Sequence, residues 1–180
     1  MNDEVTEFLN QEMYNVVLSL DGRKEVHDQL RKTVNGKGSY EHIVPKFQEF
    51  VRKRGDQEYY VRGTYTRNNV DFTNDIFHIA DLGFDKISME PVIRDPREPY
   101  ALTEESLPEI YNQYEILAKE MIGRGEQGKG FTFYHYMLDL SEGPCIQERI
   151  TGCGSGTEYD TMITDHLNII SIMCDQDLCY

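Results

Sequence analysis

The stretch EYYVRGTYTRNNVDFTNDIFHIADLGFDKISMEPV, residues 58–92, decides the fold, because it changes from a strand pattern to a helix pattern and back. EYYVRGTYT, residues 58–66, is rich in β-branched and aromatic residues and predicts a strand. FTNDIFHIADLG, residues 72–83, places apolar residues at helical spacing and ends on glycine. KISMEPV, residues 86–92, predicts the next strand. This order is typical of a right-handed βαβ unit in a parallel sheet.

The same alternation continues toward the start of the chain. NVVLSL, residues 15–20, predicts a buried strand, and the Asp21-Gly22 pair predicts its exit turn. NDEVTEFLNQEM, residues 2–13, carries one apolar face and predicts a helix before that strand. Parallel α/β domains usually begin with a strand. A chain that begins with a helix has the order expected of a sequence that starts partway through a barrel.

A second helix is predicted between the first two strands. YEHIVPKFQEFVRKRG, residues 40–55, repeats apolar residues at helical spacing, with Ser39 before it and Gly55 as a stop signal. Pro45 conflicts with this pattern, because proline removes a hydrogen bond inside a helix. We therefore expect a kink at Pro45 or a later start of the helix.

Beyond the deciding stretch, the pattern repeats once more. TEESLPEIYNQYEILAKEMIGRG, residues 103–125, predicts the longest amphipathic helix of the chain. GFTFYHY, residues 130–136, predicts a fourth strand. The whole chain is therefore predicted to be an α/β fold with a parallel sheet.

Composition narrows the possible functions. The chain has 180 residues and a formal net charge of −14 at pH 7, which argues against nucleic acid or an anionic membrane as a partner. No apolar run is long enough to span a bilayer, and the polar start lacks the pattern of a secretory signal. We expect a single domain in the reducing cytoplasm. There, four cysteines near one end favour free thiols or metal ligands over disulfides.

Candidate site residues lie where the predicted strands end, because chemistry in parallel α/β folds gathers at the carboxyl ends of the strands. These positions hold Ser19, Asp21, Arg62, Thr64, Thr66, Glu90 and His135. Structural interpretations compete with functional ones. Arg62 suits an ion pair with Glu90, and His135 suits a hydrogen-bonded structural histidine.

Two other features have simpler interpretations. His27, Asp28 and Arg31 predict a hydrogen-bonded cluster in a loop. The glycine-rich stretches VNGKGSY, residues 34–40, and GCGSGT, residues 152–157, resemble phosphate-binding loops. Neither has the spacing of a Walker loop or a dinucleotide fingerprint, so a nucleotide enzyme is a minor alternative.

Three stretches together resemble a known enzyme family. They are VVLSLDGRKEVHDQLRKTVNGKGSYEHIVPKF, residues 16–47, YYVRGTYTRNNVDFTNDIFHIADLGFDKISMEPVI, residues 59–93, and GPCIQERITGCGSGTEY, residues 143–159. They resemble radical S-adenosylmethionine (SAM) enzymes with a SPASM extension. Within that family the chain is most similar to the maturases that install thioether bridges in the cysteine-rich peptide SCIFF.

The resemblance implies an architecture and a chemistry. It implies that residues 1–140 form the second half of a partial (β/α)6 TIM-like barrel and that residues 141–180 begin the SPASM region, with the tail diverging from about residue 160. The family binds SAM and a [4Fe–4S] cluster, carries auxiliary [4Fe–4S] clusters, and modifies peptides through a 5′-deoxyadenosyl radical. The implied partners are a cysteine-rich precursor peptide and an electron donor such as flavodoxin or ferredoxin.

Specific roles follow from the resemblance at matching positions. Ser19 in SLDG would face the ribose or the methionyl group of SAM, and Arg62 in VRGT would bind the SAM carboxylate. Gly63 would let the backbone approach the adenosine closely. Asp21 and Glu90 complete the implied set of cofactor-binding residues.

The cysteines carry the implied metal sites. Cys153 in GCGSGTEY resembles the first ligand of the SPASM auxiliary cluster. Cys174 is a weaker candidate, because the family's glycine before the second cysteine is missing and the spacing is longer, and Cys179 is weaker still. Cys145 has three open interpretations: a cluster ligand, a thiol that meets the peptide, or a buried thiol.

Two departures qualify the resemblance. The CxxxCxxC motif that holds the radical SAM cluster is absent, as is the Gly-Gly-Glu motif, and every cysteine lies at or beyond Cys145. We therefore expect the chain to be an internal fragment of such an enzyme, inactive by itself. The alternative is a catalytically inactive half-barrel that acts as a peptide-binding or scaffold module.

Overall fold

The computed structural model describes residues 2–137, and it alternates helices and strands as predicted. The helices are α1 (Asp3–Glu12), α2 (Lys24–Leu30), α3 (Tyr40–Arg54), α4 (Thr73–Asp81) and α5 (Leu107–Glu126), and the strands are β1 (Asn15–Ser19), β2 (Glu58–Tyr65), β3 (Lys86–Pro91) and β4 (Thr132–Phe133). Short 3₁₀ turns lie at Arg67–Asn69, Glu104–Ser106 and Tyr134–Tyr136.

The four strands form one parallel sheet in the order β1-β2-β3-β4. Sequence neighbours are therefore spatial neighbours, each pair being joined by a helical crossover. The predicted α/β fold with a parallel sheet is confirmed. The cross-strand register places Ser19 beside Arg62, and Arg62 beside Ser88.

One face of the sheet packs against the helices and forms the core. Along β2 the odd-numbered residues from Tyr59 to Tyr65 are buried and the even-numbered ones are more exposed, as expected for a half-buried strand. The core joins this face to buried residues of α3, α4 and α5. Its largest buried apolar members are Tyr65, Phe50, Phe72, Phe84, Phe133, Leu20, Ile76, Ile79, Ile87, Met89 and Leu117.

A buried arginine fixes α1 against the rest of the fold. Arg54, the last residue of α3, is 3% exposed. Its guanidinium donates to the carbonyls of Leu9, Met13, Tyr14 and Glu58 and to the side-chain oxygen of Asn10. The carbonyls at the end of α1 thereby gain the partners that helix ends lack.

Three local predictions need correction. The segment around His27 is the helix α2 and not a loop, although its side chains are hydrogen-bonded as expected. The helix α3 begins at Tyr40 and includes Pro45, so a later start is wrong. Pro45 is exposed near the start of the helix, where its missing N–H removes only one bond. The Ser39 side chain does not cap α3, and its hydroxyl donates to the Arg31 carbonyl at 2.8 Å. The Asp28 carboxylate accepts the Tyr40 N–H at 2.9 Å.

The fourth strand is shorter than predicted. β4 spans only Thr132–Phe133 before the chain turns into the 3₁₀ turn at Tyr134–Tyr136. Two side-chain bonds accompany this turn: His135 contacts Glu90, and the Tyr136 hydroxyl donates to the Tyr114 carbonyl at 2.7 Å. Among residues 2–137, no helix combines the length and apolar composition that crossing a membrane requires.

Candidate functional site

The sheet face opposite the helices carries a row of polar side chains. The register places Ser19, Arg62 and Ser88 side by side across three strands, and it places Thr64 beside Glu90 one step further along. Because paired residues of parallel strands project to the same side, these five residues share one face. They lie toward the carboxyl ends of the strands, where parallel α/β folds usually place their chemistry.

Glu90 is the buried carboxylate of this face. It is 7% exposed, accepts a hydrogen bond from His135 Nε2 at 2.7 Å on one oxygen, and accepts the Ser88 hydroxyl on the other. Burial raises the pKa of Glu90, but the bonds from His135 and Ser88, together with the nearby charge of Arg62, outweigh burial and hold that pKa below its ordinary value. Glu90 is therefore ionised at neutral pH.

His135 is held on its other side by Tyr114 of α5. The Tyr114 hydroxyl lies 3.0 Å from His135 Nδ1, within hydrogen-bond distance. Because the ionised Glu90 carboxylate can only accept hydrogen bonds, His135 Nε2 is the donor to Glu90. His135 therefore links Glu90 on β3 to α5.

An aromatic pair lies on the same face, nearer the amino-terminal end of β2. Tyr60 of β2, two residues before Arg62, and Tyr134 of the last 3₁₀ turn stack with ring centroids 6.0 Å apart and an interplanar angle of 16°. Burial raises the pKa of Tyr60, and the charge of Glu90 raises it further while that of Arg62 lowers it. The pair therefore adds an aromatic surface to the polar face.

Asp21, at the end of the first strand segment, has a different environment. Arg31 donates to its carboxylate through Nε at 2.5 Å and Nη2 at 3.0 Å, and the Thr64 backbone N–H donates at 3.1 Å. Asp21 is 4% exposed. Its carboxylate thus joins the loop after β1 to α2 and to β2.

His27 extends this network into α2. The Asp21 backbone N–H donates to His27 Nδ1 at 3.3 Å, so His27 Nε2 carries the proton and donates to the Ser39 hydroxyl at 3.0 Å. The Ser39 hydroxyl in turn donates to the Arg31 carbonyl at 2.8 Å. Burial lowers the pKa of His27. The buried imidazole is therefore neutral at pH 7 and links α2 to the start of α3.

The next two residues of the same loop pack against α4. Arg23 donates to the fully buried Asp75 from its backbone N–H at 2.9 Å and from Nε at 2.8 Å, and to Asp71 at 3.0 Å. Gly22 has a φ of 120°, and a Cβ there would lie 2.2 Å from the Cβ of Asp75. The Asp21-Gly22 pair is therefore more than an exit turn, because it positions two ion pairs.

Gly63 lies under the polar face. A Cβ at this position would lie 2.7 Å from the Leu20 carbonyl oxygen and 2.8 Å from Met89 Cε. Close packing between β1, β2 and β3 therefore gives a structural reason for this glycine. Its role toward an adenosine group stays a prediction.

Metal binding by the described residues finds no support. Residues 2–137 contain no cysteine, and they contain no cluster of three or more histidine, aspartate or glutamate side chains that would hold an ion. The predicted ligands Cys145, Cys153 and Cys174 lie outside the described residues. Among those residues, a shallow depression of about 250 Å³ lies at the amino-terminal edge of β1 and β2, away from the polar face.

Sequence reasoning found some of these residues and missed others. It singled out Ser19, Asp21, Arg62 and Glu90, and the structure brings Ser19, Arg62 and Glu90 to one face while Asp21 lies in the ion-pair network behind it. It missed Ser88, Tyr60, Tyr134 and Tyr114. The period-2 pattern of β2 places Tyr60 on the same face as Arg62, and that of β3 places Ser88 on the same face as Glu90. No sequence signal predicts that Tyr114 lies near His135.

Comparison with known proteins gives one sequence relative and several structural ones. No protein-family model matches the chain. The cysteine-type anaerobic sulfatase-maturating enzyme of Clostridium novyi (strain NT) is 29% identical over 120 residues, which cover 63% of this chain and 31% of that enzyme. The chain thus spans about a third of the length of this curated relative.

Solved structures show the same fold. Native anSMEcpe with bound AdoMet and Kp18Cys peptide matches with a TM-score of 0.62 and 17% identity, covering 75% of this chain and 38% of that one. Native anSMEcpe with bound AdoMet matches equally well, covering 37% of that chain. The chain shares its α/β fold with these AdoMet-bound structures, and its sequence is similar to that of a maturating enzyme. The predicted resemblance to radical SAM maturases is supported at this level.

Proposed function

We propose that the chain forms the second half of the barrel of a radical SAM/SPASM enzyme that modifies a ribosomal peptide, joining cysteine sulfur to carbon in thioether cross-links. One observation carries this proposal: a polar sheet face with a guanidinium and a carboxylate lies in a chain whose sequence resembles a maturating enzyme. The half-barrel architecture and the thioether product are parts of the proposal.

The polar face suits the chemical groups of SAM. The Arg62 guanidinium matches the methionyl carboxylate, since a planar fork of N–H donors binds a carboxylate in a defined orientation. Ser19 lies next to Arg62 in the register and offers a hydroxyl for the ribose or the methionyl group. Glu90 supplies negative charge on the same face. We propose that Gly63 and Asp21 support this surface from behind.

The iron–sulfur sites would lie outside the described residues. Cys153 is the first proposed ligand of an auxiliary [4Fe–4S] cluster, with Cys145 and Cys174 as further candidates. The three cysteines of the radical SAM cluster are not in this chain and would come from another part of a longer protein. When bound and reduced, that cluster would cleave SAM to the 5′-deoxyadenosyl radical. The proposed partners are a cysteine-rich precursor peptide and a cytoplasmic flavodoxin or ferredoxin.

A second candidate function is a peptide-binding or scaffold module without catalysis. The absence of any cysteine from residues 2–137 favours it, because the polar face itself then holds no cluster ligand. The two functions differ in iron content. We expect about four irons per chain after anaerobic reconstitution and fewer in a Cys153→Ala variant, whereas a protein without bound iron would support the module.

Binding of SAM tests the site directly. Calorimetry of the full-length protein, meaning the longer enzyme that we propose contains this chain, should show SAM binding that weakens at least about tenfold in Arg62→Gln, because a charge-assisted hydrogen bond contributes roughly 1.5–3 kcal/mol. Arg52→Gln is the matched control, since Arg52 is 70% exposed and pairs with Glu49 on α3. Equal affinities of the two variants, or no SAM binding by the wild type, would overturn the proposal.

A further inference from the structure

We propose that Glu90, held in place by His135, recognises the sulfonium charge of SAM and so distinguishes SAM from its uncharged thioether analogue S-adenosylhomocysteine. His135 is a positioning residue in this account, because it acts through Glu90. The inference rests on the proposed function and names the group on the polar face that selects the charged cofactor.

The hydrogen bonds of Glu90 leave its negative charge in place. They come from the Ser88 hydroxyl and from the His135 imidazole, whose other nitrogen lies 3.0 Å from the Tyr114 hydroxyl. Hydrogen bonds to a carboxylate favour its ionised form. The charge of Arg62 on the same face acts in the same direction. The result is a buried carboxylate that is held by one donor on each oxygen and stays ionised on the polar face.

A sulfonium suits such a carboxylate better than an ammonium does. An ammonium brings N–H donors that need acceptors, whereas a sulfonium has no donor and interacts through charge alone. Glu90 already accepts two internal hydrogen bonds, so it offers charge more than free acceptor sites. The aromatic pair Tyr60 and Tyr134 on the same face adds a second attraction, since aromatic faces attract cations that cannot donate hydrogen bonds.

His135 gives this arrangement its stability. It bonds Glu90 at 2.7 Å, is fixed by Tyr114 at 3.0 Å, and packs edge-on against Phe133 with ring centroids 5.1 Å apart. Without His135, burial would act on Glu90 with only the Ser88 hydroxyl and the charge of Arg62 opposing it. The carboxylate would then move toward solvent or take up a proton, and the negative charge on the face would weaken.

The test compares two ligands in matched variants of the full-length protein. Equilibrium dissociation constants are measured for SAM and for S-adenosylhomocysteine in the wild type, Glu90→Gln, His135→Phe and His135→Gln. Glu90→Gln should weaken SAM binding about tenfold and change S-adenosylhomocysteine binding less than about twofold. His135→Phe should act in the same direction, and His135→Gln should restore part of the preference because its amide still donates to Glu90.

Two controls separate this inference from a structural effect and from the proposed function. His42→Phe, at an exposed position on α3, should leave both constants unchanged. Equal weakening of both ligands in Glu90→Gln and His135→Phe would overturn the inference while leaving the proposed function intact. A wild type that binds neither ligand would overturn both.

Discussion

Asp21 follows β1 and Glu90 lies near the end of β3, with β2 between them, yet the surroundings of these two acidic residues differ. Asp21 is bound by the Arg31 guanidinium and by the Thr64 backbone N–H, so its charge is compensated within the fold. Glu90 accepts one hydrogen bond each from Ser88 and His135, and Arg62 acts on it as a neighbouring charge. Both residues were predicted to bind the cofactor.

This difference shows that a carboxylate at the end of a strand does not necessarily bind a ligand. What matters is how the protein binds the carboxylate. Where a guanidinium of the fold binds both oxygens, as in Asp21, the carboxylate fixes loops and helices. Where each oxygen accepts a single hydrogen bond, as in Glu90, we propose that the charge acts on a ligand. We therefore expect changes at Asp21 to affect stability most and changes at Glu90 to affect binding most.

The largest expected effect is at Gly22, next to Asp21. Gly22→Ala should lower the free energy of unfolding by about 4 kcal/mol, since it combines a positive φ with a Cβ that overlaps Asp75. Urea denaturation measures the loss. Gly36→Ala is the control, because Gly36 has a φ of 74° with open space around its Cβ and should cost only about 1 kcal/mol. Similar losses in the two variants would contradict the packing argument.

The next effect compares two isosteric changes. Asp21→Asn should lower the free energy of unfolding by about 2 kcal/mol, because it weakens the bidentate pair with Arg31, a residue that is itself 36% exposed. Glu90→Gln should cost about 1 kcal/mol or less, since removing a buried charge offsets part of the lost hydrogen bonding. The urea midpoints of the two variants are compared. A larger loss of stability in Glu90→Gln than in Asp21→Asn would contradict this prediction.

The smallest expected effect is a pH dependence in the Asp21 region. The pKa of His27 is lowered from 6.5 by burial, with Asp21, Asp28 and Arg31 as the charges acting on it. The unfolded chain therefore binds a proton before the folded one, so stability is full above pH 6.5 and falls as pH drops below it. Urea midpoints between pH 7.5 and 5.5 should fall in the wild type and fall less in His27→Gln. Equal slopes would contradict the assignment.

Local patterns predicted most of the fold. Eight segments were predicted from their apolar patterns as helices and strands in the right order, and the deciding stretch predicted the parallel sheet. The helix α2 was missed because it has only seven residues, and its stability depends on the buried His27 and on the ion pair of Arg31. Those are tertiary contacts, which periodicity does not reveal.

The candidate site was predicted only in part, for a similar reason. Arg62 and Glu90 were predicted because they lie near strand ends, and strand ends follow from the local sequence pattern and the sheet topology. The partners of Glu90 come from β3 and from the turn after β4, and Tyr114 reaches them from α5. Such a contact depends on how a helix packs on the sheet. The compensation of Asp21 by Arg31 likewise depends on the helix that was missed.

A crystal structure of the full-length protein with SAM tests the central claim most directly. We expect the methionyl carboxylate on Arg62, the sulfonium within about 6 Å of the Tyr60 ring and near the Glu90 carboxylate, and Asp21 still bound to Arg31. A structure in which SAM binds Asp21 in place of Arg31, or in which SAM lies away from the face of Arg62 and Glu90, would contradict the account.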